Sequence, residues 1–188
     1  MLVDVAGKGV AAAMLTGMVK QAFRASAGEA YAPAMVLQRA FDGCKVFPGG
    51  RHLTACAARF GLAGNRLELL GTAGHPPSYL VSKGGEVEQL PATADPLHPA
   101  FDTWGFAQRS LDFRVGDYFV AFTDGLIESR RAEEDEIFGI ERLEETLRAA
   151  PRSSASAVCQ AMRQSLRTFQ RGRPPEDDLT ILVARRTS

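Results

Sequence analysis

The sequence predicts an α+β domain in which antiparallel sheet is layered with helices, and three observations carry that prediction. Apolar residues recur at helical spacing near both ends of the chain. Between them lie short apolar runs separated by turns rich in glycine and proline, spaced closely enough for hairpins. Strands and helices do not alternate one for one, which argues against a parallel sheet of βαβ units. The 188 residues suffice for one domain with a full core. No shift in composition divides them, so residues 1–188 are expected to form a single domain.

Taken in order, a short apolar run leads to Asp4, and a glycine-punctuated loop opens at once into a helix over residues 10–24. There Val10, Met14, Leu15, Met18, Ala22 and Phe23 share one face, which is expected to turn to the core and pack on a sheet. A loop over 28–32 brings Pro33 to the first turn of a second helix, ending near Lys45 with Val36, Leu37, Ala40, Phe41 and Cys44 inward. Pro48-Gly-Gly50 breaks that pattern. Strands are expected over 53–62 and 66–73, joined at Ala63-Gly-Asn65, and over 78–82 and 86–90, joined at Lys83-Gly-Gly85. A further strand over 106–113 turns at Val115-Gly-Asp117 into residues 118–123, whose nearly unbroken apolar character marks a central strand. Residues 91–104, with three prolines, read as a loop. The charge run over 130–136 reads as a solvated one. Helical spacing returns at Ile140, Leu143 and Leu147. After the capping residues Ser153-Ser154 it resumes at Ala157, Val158, Ala161, Met162, Leu166 and Phe169. A polar loop over 172–178 then feeds a last buried strand, 179–184.

Lysine plus arginine number 22 and aspartate plus glutamate 22, so no net field draws the chain to nucleic acid or an anionic membrane. No apolar run reaches the length of a membrane span, and the N-terminus lacks the basic flank of a signal peptide. A cytoplasmic protein with no nucleic-acid partner and no membrane span is expected. Cys44, Cys56 and Cys159 lie far apart in apolar patterns without Cys-x-x-Cys spacing, as buried free thiols do. His52, His75 and His98 are too scattered for a zinc site.

Three acids stand out. Asp4 and Asp124 each end an apolar strand, and Asp177 immediately precedes one. Neighbouring strands would bring the three carboxylates together, a self-repulsive cluster unless cations neutralise it. Carboxylates without histidine or thiolate suit magnesium, manganese or calcium rather than zinc. The chemistry such sites favour is phosphoryl transfer to water. Asp-Gly and Asp-Asp pairs also form turns on structural grounds alone, and that reading stays open on spacing. Ala6-Gly-Lys8 lacks the earlier glycine and the Ser or Thr of a phosphate-binding loop, no Gly-x-Ser-x-Gly elbow is present, and His75 sits in a turn, where a histidine is usually structural.

Four segments then carry a resemblance: Asp4-Val-Ala-Gly-Lys-Gly-Val10 with its helix, Thr72-Ala-Gly-His-Pro-Pro77, Phe122-Thr-Asp-Gly-Leu-Ile-Glu128 and Asp177-Asp-Leu-Thr-Ile-Leu-Val183. In order and spacing they resemble the metal-dependent (PPM-type) protein serine/threonine phosphatases, in particular the bacterial stage II sporulation E (SpoIIE) branch. The resemblance implies a four-layer αββα sandwich of two mostly antiparallel sheets flanked by helices, with two Mn2+ or Mg2+ ions at one end. Asp4 would bridge both ions, Val5 would add its backbone carbonyl, and Asp124 with Asp177 would complete one ion's ligands, with Asp178 supporting them from behind. A metal-held water would attack phosphoserine or phosphothreonine.

Two departures qualify the match. The family's upstream Gly-Asp-x-x-Asp type motif, whose acid holds the second ion, is not in the sequence, so the domain is expected to be N-terminally truncated, without its first strands and with one ion well bound. Lys8 stands where the family usually has histidine. It can donate to a phosphate or leaving oxygen but makes a poor general acid near neutrality. The residues Asp95-Pro-Leu-His98 also differ from the family's loop. The implied substrate is a phosphorylated anti-sigma-factor antagonist, with a sensor or receiver domain upstream in a full-length parent. The resemblance leaves a homodimer open. The rival expectation is a degenerate domain that binds a regulatory partner without turnover.

Overall fold

The computed structural model describes residues 1–26, 32–45, 51–61, 64–101, 105–132 and 136–188. The Pro48-Gly-Gly50 break, most of the 28–32 loop, Leu62, Ala63, Trp104 and the acidic centre of the 130–136 run lie outside them. In chain order the elements are β1 (Leu2–Val5), α1 (Val10–Ala25), α2 (Pro33–Lys45), β2 (Leu53–Gly61), β3 (Arg66–Gly71), β4 (Ser78–Val81), β5 (Val87–Leu90), β6 (Arg109–Asp112), β7 (Tyr118–Phe122), α3 (Gly139–Ala149), α4 (Ala155–Gln170) and β8 (Ile181–Arg185). The expected class holds: α+β, with two antiparallel four-stranded sheets and four helices. They fall into two compact units, Met1–His75 with Pro91–Asp112, and Pro76–Leu90 with Phe113–Ser188.

The first unit holds the sheet β1-β2-β3-β6 with α1 and α2. Alternation along β2 sends Leu53, Ala55 and Ala57 to one face, where they meet Leu15, Val19, Leu37, Ala40, Phe41, Cys44, Leu70 and Leu97. The five positions expected inward on α2 are all buried. Burial pushes the Cys44 thiol up to about 11, because a low-dielectric core disfavours the thiolate. Leu97 justifies its place in the proline-rich loop: it is fully buried and exchanges backbone hydrogen bonds with Leu53 at 3.0 and 3.2 Å.

The second unit holds the sheet β5-β4-β7-β8 with α3 and α4. All five residues of β7 are buried and it lies between β4 and β8, the central position its apolar run predicts. Tyr79, Val120 and Phe122 from this sheet pack with Leu143 and Leu147 of α3 and Val158, Met162 and Leu166 of α4. Ser154 caps α4, its Oγ accepting from the Ala157 N–H at 3.0 Å, which satisfies one of the helix's open donors.

Four expectations need correction. Val10 and Met14 are 78% and 58% exposed, and Phe23 is exposed too. The buried stripe of α1 is Ala12, Leu15 and Val19, because the helix packs chiefly on α2, and a helix-to-helix seam is narrower than the face a sheet would cover. The turn at Val115-Gly-Asp117 does not close a hairpin, since β6 pairs with β3 whereas β7 pairs with β4 and β8. The Asp117 carboxylate accepts from the N–H groups of Arg114 at 2.8 Å and Lys83 at 3.0 Å, tying the chain after the turn to the end of β4. The last strand starts at Ile181 and is half-buried, because it is the edge of its sheet. Finally, β6 covers only Arg109–Asp112, with Phe106 in an isolated bridge to Ala94.

Candidate metal centre

The sites named from sequence lie at strand ends or on the turns beside them. Asp4 sits in β1, opposite Thr54, and Val5 opposite Leu53. Val3 and Val5 pack against the first unit's core, so the pleat directs Asp4 to the other face. The chain then runs through Gly7 (φ 90°) and Gly9 (φ 83°) to α1. These left-handed angles suit glycine alone, and Gly9 is the helix N-cap with no side chain to do the capping. Arg51 lies over Gly7 and its Nη1 donates to the Ala6 carbonyl at 2.9 Å. A Cβ on residue 7 would fall 1.8 Å from that nitrogen. Lys8 is exposed on this loop.

In the second unit Asp124 lies two residues beyond Phe122, the end of β7, and Asp177 and Asp178 precede β8. Thr123 binds the two segments together. Its N–H donates to Thr180 O at 3.1 Å, its Oγ1 donates to Asp178 O at 3.1 Å, and the Thr180 N–H donates to that same Oγ1 at 3.0 Å. Gly125 completes the contact: a Cβ there would lie 2.5 Å from Asp178 O and 3.7 Å from the Asp177 carbonyl carbon. Asp124 and Asp177 are thus carried on touching backbone, while Asp4 belongs to the first unit.

The donor chemistry fits a hard divalent ion. Asp124 Oδ1 is buried with no hydrogen-bond partner among the described residues, a state that costs heavily for a carboxylate and that a cation relieves. Asp177 is exposed, and its Oδ1 accepts the Asp178 N–H at 2.8 Å, which fixes its rotamer and leaves Oδ2 for a ligand. Among the described residues no group of three or more His, Cys, Asp or Glu side chains comes together in a way that could hold a metal ion. Sequence reasoning passed over Thr123 and Gly125 as parts of this arrangement. A threonine and a glycine flanking an aspartate at a strand end are the signal that finds them.

Two antiparallel four-stranded sheets, each with a helix pair, define the PP2C phosphatase-domain fold. The SiaA-PP2C domain of Pseudomonas aeruginosa is 23% identical, with a TM-score of 0.83 over 97% of this chain and 73% of that one. The RsbU and RsbW domains of a Mycobacterium tuberculosis protein, Rv1364c, are 27% identical, with a TM-score of 0.78. The match covers 98% of this chain, which spans about half, 52%, of that one. The catalytic domain of the serine threonine protein phosphatase PstP, solved in complex with two manganese ions, is 19% identical with a TM-score of 0.65 over 99% and 86%. Residues 1–187 match the Stage II sporulation protein E (SpoIIE) family, and the chain belongs to that family.

Proposed function

We propose that this chain is the catalytic domain of a metal-dependent phosphatase that removes phosphate from phosphoserine or phosphothreonine of a regulatory protein, with an anti-sigma-factor antagonist as the substrate class. Asp4, Asp124 and Asp177 are the carboxylates that hold Mn2+ or Mg2+, Val5 contributes its backbone carbonyl and Asp178 supports Asp177. The observation that carries this reading is the buried Asp124 Oδ1 without a hydrogen-bond partner among the described residues, on a turn packed against the backbone of Asp177 and Asp178. Membership of the SpoIIE family and the manganese ions of the PstP domain support it. A divalent ion bound there neutralises phosphate charge and lowers the pKa of a coordinated water. The protein's own part is to orient the three acids, while exposed Lys8 is available to donate to a phosphate oxygen. Together Asp4, Asp124 and Asp177 would supply the carboxylate ligands of one ion. The proposed setting is the cytoplasm, with a phosphorylated regulatory protein as partner and a sensor or receiver domain in a longer parent. No helix among the described residues is long and apolar enough to cross a membrane.

The test is a manganese titration of phosphatase activity on an aryl phosphate and on a phosphoserine protein, with wild type and Asp124→Asn side by side. Activity that rises with manganese more than with magnesium, since manganese binds such sites more tightly, and that is lost in the variant is expected. Equal turnover in both proteins would falsify the metal reading. Manganese binding without turnover of either substrate would favour the rival, a domain that binds its partner without catalysis.

A further inference from the structure

The motif Thr72-Ala-Gly-His-Pro-Pro77 has no part in the ligand set above, yet its histidine is only 6% exposed and stands beside the strand pair that carries Asp4. Asp4 and Thr54 are cross-strand partners, and partners in an antiparallel pair share a face with Cβ atoms about 5 Å apart. The face is defined independently by their neighbours. Val3 and Val5 on one strand, and Leu53 and Ala55 on the other, all point into the helix-side core, which leaves Asp4 and Thr54 together on the opposite side. Thr54 Oγ1 is 3.0 Å from His75 Nδ1.

The imidazole reaches Thr54 on a rigid mount. The Thr72 N–H donates to Ala55 O at 2.9 Å, the Ala55 N–H donates to Thr72 Oγ1 at 2.7 Å, and the His75 N–H donates to Thr72 O at 3.1 Å. Gly74, at φ 81°, lets the turn lie so close that a Cβ would be 3.2 Å from Thr54 Cγ2. The turn is thus stapled to the residue next to Thr54, and its one functional side chain is aimed at the Thr54 hydroxyl.

We infer that His75 and Thr54 are a positioning pair for the Asp4 carboxylate. His75, as the Nδ1–H tautomer, donates to Thr54 Oγ1, and the Thr54 hydroxyl, its oxygen occupied by that bond, turns its proton toward Asp4. A hydroxyl has one proton to give, so fixing its acceptor side fixes where the proton points. A carboxylate held this way keeps one rotamer for its ligand, and loss of such support costs about 10- to 100-fold in metal affinity. The inference rests on the reading of Asp4 as a metal ligand.

The test measures manganese binding from the loss of the free-ion electron paramagnetic resonance signal, with thermal unfolding of the metal-free proteins in parallel. Thr54→Val should weaken binding by about 10- to 100-fold. Thr54→Ser should keep the wild-type affinity. His75→Asn, which retains an N–H near the Nδ1 position, should bind more tightly than His75→Ala. A purely structural role would lower the unfolding temperature and leave affinity unchanged. Equal affinity in folded wild type and Thr54→Val therefore overturns this inference and leaves the phosphatase reading intact. A wild type that binds no manganese removes both. Nitrogen chemical shifts of the His75 ring in the metal-free protein give a separate check, and an Nε2–H tautomer there also overturns the pair as written.

Discussion

The two glycine turns that follow Asp4 and Asp124 look alike in sequence and are built on opposite principles. After Asp4 the glycines are required by backbone angle. Gly9 has φ 83° and ψ −163°, a region only glycine occupies without strain, and none of the described residues lies within 4 Å of where its Cβ would be. After Asp124 the glycine is required by space, because the backbone of Asp178 fills the position of its missing Cβ. The first turn is exposed and braced from outside by Arg51. The second is buried against its own partner segment and stitched by Thr123. An acidic turn can therefore be conformationally demanding or sterically demanding, and mutation tells the two apart.

The largest effect is expected at Gly125. Gly125→Ala forces a methyl group into a backbone carbonyl that cannot swing aside, and overpacking of that kind costs about 3 kcal/mol or more. Chemical denaturation should show it, together with loss of any metal binding that depends on Asp124. A near-neutral result would mean that the two segments separate easily and that the buried contact is not what aligns Asp124 with Asp177.

Gly9→Ala and Gly7→Ala probe the other turn, and each is expected to cost about 1–3 kcal/mol for strained backbone. Gly7→Ala should be the worse of the two, since it also displaces Arg51 from the Ala6 carbonyl. That excess should vanish in an Arg51→Ala background, as a double-mutant cycle would reveal. An equal cost in both backgrounds would show that Arg51 does not brace the loop.

The smallest effect is expected for Thr123→Val. It keeps shape but removes a hydroxyl that donates to Asp178 O and accepts from Thr180 N; both partners lie on exposed residues that water can reach, so the loss is worth about 0.5–1.5 kcal/mol. Hydrogen exchange at the Thr180 amide should speed up while the Leu182 amide, deeper in the β7–β8 ladder, changes less. Uniform acceleration along β8 would mean that the strand opens as a unit and the hydroxyl plays no local part.

Period and punctuation determined much of this molecule. Pro33 and the spacing of Val36, Leu37, Ala40, Phe41 and Cys44 defined α2, Ser154 defined the start of α4, and an unbroken apolar run defined β7 as central, because each depends on residues within one or two turns of chain. The order of four short motifs identified the family, and the acids at strand ends named the candidate ligands. What only the tertiary structure decided are the features that depend on which segment becomes a neighbour. Periodicity along α1 reports its apolar residues without saying that α2 would cover Leu15 and Val19 while Val10 and Met14 stay exposed. The turn at 115–117 has hairpin chemistry, yet β6 and β7 enter different sheets, since strand partners are chosen by complementary faces far apart in sequence. The space at Gly125, the Thr123 stitch and the approach of His75 to Thr54 each join residues 21 to 57 positions apart. No local pattern encodes such contacts, because they arise only when the sheets bring those strands side by side.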